Sequence, residues 1–250
     1  MLPDGHTEAE ASPNRDEKSA APPAPGATTA TPGGRLDGLA EVAGGWALAA
    51  GLALLAWRWL GPTLGPYGAA LAWGGTGAFL AARARGGLAG SGLALARPLR
   101  SLGLAALYAA LVLPVFAAGF LVLNARGGYA SPGALPFVAA TLNAFFFAAL
   151  PEEIFFRGFV QTRLGTILPP GRRRPLPLVP VTWASIAAAA AFAATHVVFE
   201  PHPARLLTFF PGLLFGALRE ESGDVVAPAV FHALCNGALY GLWVGVGLAE

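Results

Sequence analysis

The chain reads as an all-α membrane protein: a polytopic bundle of about seven transmembrane helices, within a range of about six to eight. Three observations predict this. Hydrophobic residues make up 55% of the 250 residues and charged ones only 12%, about half the charge of a soluble domain. Apolar tracts near the ~20 residues that span the hydrocarbon layer recur from residue 39 to the C-terminus. The basic residues segregate to alternate connections between those tracts, as topology determinants do.

The elements follow in order. Residues 1–36 are polar and rich in Pro, Ala, Gly and Thr, with no apolar periodicity; they read as a disordered tail. No apolar run near Met1 is long enough for a signal peptide. The transmembrane domain is expected over 37–250. Its spans are expected at 39–57, 66–82, 101–123, 136–162, 179–199, 204–219 and 225–248. The second is the weakest helix, because Gly74, Gly75 and Gly77 lower its propensity. The fourth is long and carries Pro151, Glu152, Glu153 and Arg157.

Seven spans with a cytoplasmic N-terminus put thirteen of the 16 basic residues on the cytoplasmic side. Only Arg58, Arg126 and Arg205 fall on the other. The run Arg172-Arg173-Arg174 is then a cytoplasmic loop. With a single lysine and abundant Ala, Gly and Pro, the composition suits a GC-rich bacterial genome. The expected location is therefore the cell (inner) membrane, multi-pass. The basic residues form no basic-aromatic patch, so nucleic acid is not expected as a partner; the lipid bilayer is. Cys235, alone, forms no internal disulfide and reads as a small packing residue.

Glu153 and Arg157 are i and i+4, acid first, the favourable order for an intrahelical ion pair. Glu152 lies about 100° around the helix and has no such partner, which suits it to exchange protons. Pro151 removes a backbone donor and frees the carbonyl of residue 147, so a kink there would make room for water. The same residues at a helix end in headgroup water would carry no chemistry. The apolar stripe Phe159, Val160, Leu164, Ile167 and Leu168 instead continues the helix past them. Two further polar pairs share a helix face at i, i+4: Phe192 with His196 in the fifth span, and His232 with Asn236 in the seventh. Polar side chains in spans face the bundle interior, so these can converge on one cavity. A proton-coupled transporter would use similar groups, but the sequence shows no inverted repeat and no second acidic motif.

EEIFFR (152–157), FAATH (192–196) and HALCN (232–236) resemble, in order, the three motifs of the CPBP family of intramembrane proteases, also called Abi or CAAX-protease-like. The resemblance covers roughly residues 100–248; the first hundred residues carry no matching motif. It implies a polytopic α-helical endopeptidase with its active site in an intramembrane cavity. By resemblance, Glu152 is the general base on water, Glu153 and Arg157 orient and tune it, His196 and His232 position the water or stabilise charge, and Asn236 donates to the developing oxyanion, a contribution of ~3 kcal/mol. The implied partner is a membrane-anchored or prenylated protein cut near its C-terminus. The family also contains non-catalytic scaffold and bacteriocin-immunity members.

No Ser, Thr or Cys is placed as a nucleophile; Cys235 points about 100° from Asn236. No cofactor is favoured. Zinc would need three ligands, which Glu152, His196 and His232 could supply. No HExxH helix is present, and spending Glu152 on a metal would leave no free base. Helix arithmetic leaves one conflict: measured from their cytoplasmic starts, His196 and His232 differ in depth by roughly 12 Å. The expectation taken into the structure is that Glu152, His196, His232 and Asn236 line one cavity opening toward the cytoplasm.

Overall fold

The computed structural model describes residues 32–84, 86–94, 97–124, 128–169, 173–176 and 179–248. Most of the expected N-terminal tail lies outside them. Its last residues are helical: α1 (Pro32–Arg83) begins four residues before the expected tail ends, since Pro is tolerated in a helix's first turn.

α1 is two passes in one. It reverses at Gly61, whose φ of 69° only glycine adopts readily, followed by Pro62. The two arms lie antiparallel: the Cα of Gly45 abuts Leu80, and that of Gly68 abuts Ala56. A single turn of helix, Gly87–Gly90, leads to α2 (Pro98–Asn124). The long α3 runs over Ala134–Ile167. An antiparallel hairpin of β1 (Arg173–Leu176) and β2 (Val179–Val181) follows. α4 is Trp183–Phe199, α5 is Phe209–Ser222 after a 3-10 stretch Pro203–Thr208, and α6 is Val226–Gly245.

All seven expected spans are thus helical over most of their length, with shifted ends. The fifth starts at Trp183 rather than 179, because Thr182 and Ser185 close a reciprocal capping box there and the preceding residues pair as strand. The sixth helix proper starts at Phe209 rather than 204. The seventh is fixed at its start by Asp224, whose Oδ1 accepts from the backbone N–H of Val226 and Ala227 at 3.0 and 3.1 Å. Asp224 Oδ2 accepts from Ser101 on α2, tying the cap to a neighbouring helix.

Among the described residues three helices are long and apolar enough to cross a membrane: Gly33–Arg83, Pro98–Asn124 and Ala134–Ile167. Their outward faces are apolar; Leu99, Val115, Val122 and Leu135 are 74–85% exposed. Such surface is a liability in water and the normal exterior in lipid. The chain is a membrane protein with an almost wholly helical bundle.

α3 is the central element: it contacts α1 from Phe145 onward, α6 over its first half, and α4 and α5 over its second half. Contacts along it show that the passes alternate in direction. At one end Gly38 meets Ile167, Glu41 pairs with Arg163 at 2.7 Å, and Ala184 lies 4.0 Å from the Cβ position of Gly165. At the other end Tyr67 stacks edge-on against Phe147 at 4.5 Å, and Tyr129 abuts Gly245. The glycines of the second pass, expected to weaken it, have a packing role. A methyl at Gly77 would come within 2.7 Å of the Phe155 Cα, and one at Gly74 within 3.3 Å of Pro151. Small residues let membrane helices approach this closely.

Candidate active site

Pro151 governs the local geometry of α3. It has no N–H for the carbonyl four residues back. The helix responds by widening: Phe145–Ala149 is π-helical, with the Leu150 N–H reaching the Phe145 carbonyl. After one α turn, Leu150–Glu153, the chain widens again over Ile154–Gln161. The expected kink is therefore a pair of π segments, a form common at functional sites. They bracket Glu152 and Glu153.

The two glutamates have opposite surroundings. Glu153 is fully buried. Its Oε2 lies 3.1 Å from Arg157 Nε, the ion pair expected from the i, i+4 spacing, and its Oε1 lies 3.0 Å from His232 Nδ1. The Arg157 contact is one of charge and not an aligned hydrogen bond. Arg157 is also fully buried. Its Nη2 donates to the Gly212 carbonyl at 2.8 Å, and its guanidinium sits over the rings of Phe192 and Phe215 at 4.8 and 5.3 Å. Such a pair costs several kcal/mol per ion to desolvate, so both partners are needed to hold it.

Glu152 is partly exposed, with a side chain at 23%. Its Oε2 is buried without a hydrogen-bond partner. The atom nearest in charge is His232 Nε2, 3.9 Å away, too far for a hydrogen bond. Because the Glu153 carboxylate accepts at Nδ1, the His232 proton belongs there when the ring is neutral. Nε2 is then left as an acceptor beside Glu152. The His232 ring is held by stacking on Phe215 at 4.5 Å and by an edge contact with Phe192 at 5.8 Å.

His196 donates from Nδ1 to the Phe192 carbonyl at 2.9 Å, leaving Nε2 free. Its ring touches Phe192 at 4.5 Å. Both histidines therefore pack on one phenylalanine, and the expected depth mismatch does not arise. Val225, just before α6, lies 3.6 Å from the Cβ position of Gly158, well in from the Ile167 end of α3, so α6 begins deep and six residues from Val226 suffice to bring His232 to Glu153.

A cavity of about 600 Å³ adjoins these groups. Glu152 and His196 line it, with Trp73, Phe156 and Phe199 among its aromatic walls. His232 and Asn236 do not, which corrects the expectation that all four would share its surface. His232 sits behind Glu152 at 5% exposure. Asn236, one turn further along α6, has no hydrogen-bond partner among the described residues. The cavity also runs toward Trp57, Pro66 and Glu200, the end of the bundle away from Arg163, and not toward the arginine-rich connections.

Residues 134–238 match the family model described as Type II CAAX prenyl endopeptidase Rce1-like. That segment, 105 of the 250 residues, is similar to Rce1-like proteins. The match supports a CAAX-type intramembrane protease fold of the CPBP family and contains all six motif residues. It begins with α3, so α1 and α2 lie outside the Rce1-like segment, and the span of resemblance read from the motifs, roughly 100–248, narrows at its N-terminal side. No curated protein and no solved structure matches the chain.

Some site residues are not evident from the motifs. Gln161, one turn beyond Arg157, donates to the Gly216 carbonyl at 3.1 Å and to Glu220 at 2.9 Å. Arg157 and Gln161 thus grip two carbonyls of α5 spaced by four residues. The four-residue spacing of both pairs was the available signal. Thr195 accepts from Trp46 Nε1 at 2.7 Å, fixing α1 beside His196; no pattern announces that pair. Among the described residues no three of His, Cys, Asp and Glu are gathered as a metal site.

Proposed function

We propose that the Rce1-like core is an intramembrane endopeptidase that hydrolyses a peptide bond of a membrane-anchored protein with a glutamate-activated water. The observation that carries this reading is Glu152 on the lining of the cavity, with an Oε2 that no hydrogen bond holds, beside a glutamate already committed to Arg157 and His232. One carboxylate is fixed as structure and the other is free to work.

Glu152 takes a proton from a water in the cavity. The hydroxide oxygen attacks the peptide carbonyl carbon, and the carbonyl oxygen becomes an oxyanion. The proton returns from Glu152 to the departing nitrogen, the C–N bond breaks as the oxyanion collapses, and a carboxylic acid and an amine leave, the acid then passing its proton to the amine or to water. His232, steered by Glu153 on its other nitrogen, holds Nε2 behind the Glu152 carboxylate, 3.9 Å from Oε2. His196, on the cavity lining with Nε2 as an acceptor, can take a hydrogen bond from the water or from the N–H of the departing amine. Asn236, the expected oxyanion donor, lies one turn beyond His232 on α6 and off the lining of the cavity. The aromatic walls favour an apolar substrate segment.

The test compares protein C-termini in membranes of cells carrying wild type and Glu152→Gln at equal abundance. Loss of defined C-terminal fragments in the variant supports the reading and names the substrate. Matching profiles across growth conditions would overturn it and favour a non-catalytic scaffold or immunity role.

A further inference from the structure

The position of the cavity relative to the charges at the bundle's ends says from which side a substrate arrives. We infer that the scissile bond reaches Glu152 from the arginine-poor, non-cytoplasmic face of the membrane. The substrates would then be membrane-anchored proteins cut a short way in from that face. The substrate half of this inference rests on the peptidase reading; the sidedness does not.

Three observations carry it. The cavity ends at Glu152 and Phe156 on the inside and reaches Trp57, Pro66 and Glu200 on the outside. Those outer residues belong to the reversal of α1 and the turn after α4. Beyond Glu152 in the other direction α3 is closed: every residue from Phe155 to Gln161 is buried. Water and peptide therefore have a route to Glu152 from one end and a packed plug at the other.

The two ends differ in charge. The plugged end carries Arg83, Arg97, Arg100, Arg163 and Arg219 among the described residues. The open end carries Arg58 and Arg205, and Arg205 pairs with Glu200 at the cavity mouth. Connections rich in arginine stay in the cytoplasm, so the mouth faces away from it. Trp59, 78% exposed, and Tyr67 stand at the open end, as aromatic residues do at a membrane interface. Phe147, stacked on Tyr67, precedes Glu152 by five residues, which puts Glu152 roughly 8 Å below that level.

The test uses the full-length chain in a Cys235→Ala background, with single cysteines at three places. Leu88→Cys marks the arginine-rich end, His202→Cys the arginine-poor end and Ala69→Cys the cavity wall; Leu54→Cys replaces Ala69→Cys if the latter does not accumulate in membranes. Intact cells, or sealed right-side-out vesicles, are treated with a membrane-impermeant cationic thiol reagent before and after permeabilisation. The expected result is labelling of the His202 and cavity positions from outside, and of the Leu88 position only after permeabilisation. Labelling of Leu88→Cys from outside would overturn the orientation. A cavity cysteine that reacts only after permeabilisation, or never, would overturn the route. The readout needs no turnover: unchanged C-termini in Glu152→Gln would remove the peptidase reading and the substrate half while leaving the labelling pattern as it is.

Discussion

Residues 134–148 and 155–161 belong to one helix, α3, but no residue of the first stretch is buried and every residue of the second is. The first presents Leu135, Val138, Leu142 and Phe146 outward. The second is enclosed by α1, α4 and α5 and includes a charged arginine. Glu152 and Glu153 stand at the seam. Two adjacent residues of identical chemistry thus receive different surroundings from packing alone. A carboxylate ringed by a guanidinium and an imidazole cannot serve as a mobile base, and one left facing a cavity holds nothing together.

The sharpest break of this comparison exchanges the two acids' fates. Glu152→Gln should lower the cleavage rate by about 10³-fold, within the range of a lost general base, with little change in the thermal unfolding of the detergent-solubilised protein. Glu153→Gln should lose activity and stability together, because buried Arg157 keeps no counter-charge. A Glu153→Gln protein as stable as wild type would contradict the division of labour. Arg157→Ala tests the sealed half from the other side: removing one partner of a buried pair should cost about 3–5 kcal/mol, read as a large fall in melting temperature and in membrane abundance. Arg157→Lys should recover part of it, since charge is restored without the planar fork.

A smaller effect is expected at the interface sealing that half. Gly77→Ala should destabilise by about 1–3 kcal/mol, the usual cost of overpacking, because the new methyl meets the Phe155 backbone. Gly75→Ala, where nothing stands within 4 Å, should be neutral or slightly stabilising through helix propensity. Equal melting temperatures for the two would deny the close approach. The open half sets the floor: Phe146→Ala, at a position 56% exposed, should shift stability by no more than about 0.5 kcal/mol.

The helical bundle and most of its boundaries were legible because length and apolarity dictate them. The Glu153–Arg157 pair was legible because four residues on a helix put side chains together. The close approach at Gly77 was not, since propensity treats glycine as a weakness and only the neighbour's backbone reveals its use. Nor was the start of α4: a reciprocal cap at Thr182 and Ser185 outweighed the apolar Val179, Pro180 and Val181. The absence of Asn236 from the cavity wall has the same origin. Its spacing from His232 fixes a shared helix face, but how far along that face the cavity extends depends on α1 and α4, which lie elsewhere in the sequence. The direction of the cavity was hidden for that reason too.

The π-helical run Ile154–Gln161 has a consequence for how the chain tolerates change in length. It joins the acid-bearing turn to the part of α3 that grips α5. One residue added there would rotate everything beyond it by about 100°, turning Gln161 away from Gly216 and the Arg163 end away from Glu41. Side chains in this run can be exchanged one at a time and the loss measured; the wide run already holds an extra residue and has no room for another. The stretch is a register element, and a one-residue insertion inside it would be more damaging than any single substitution it contains.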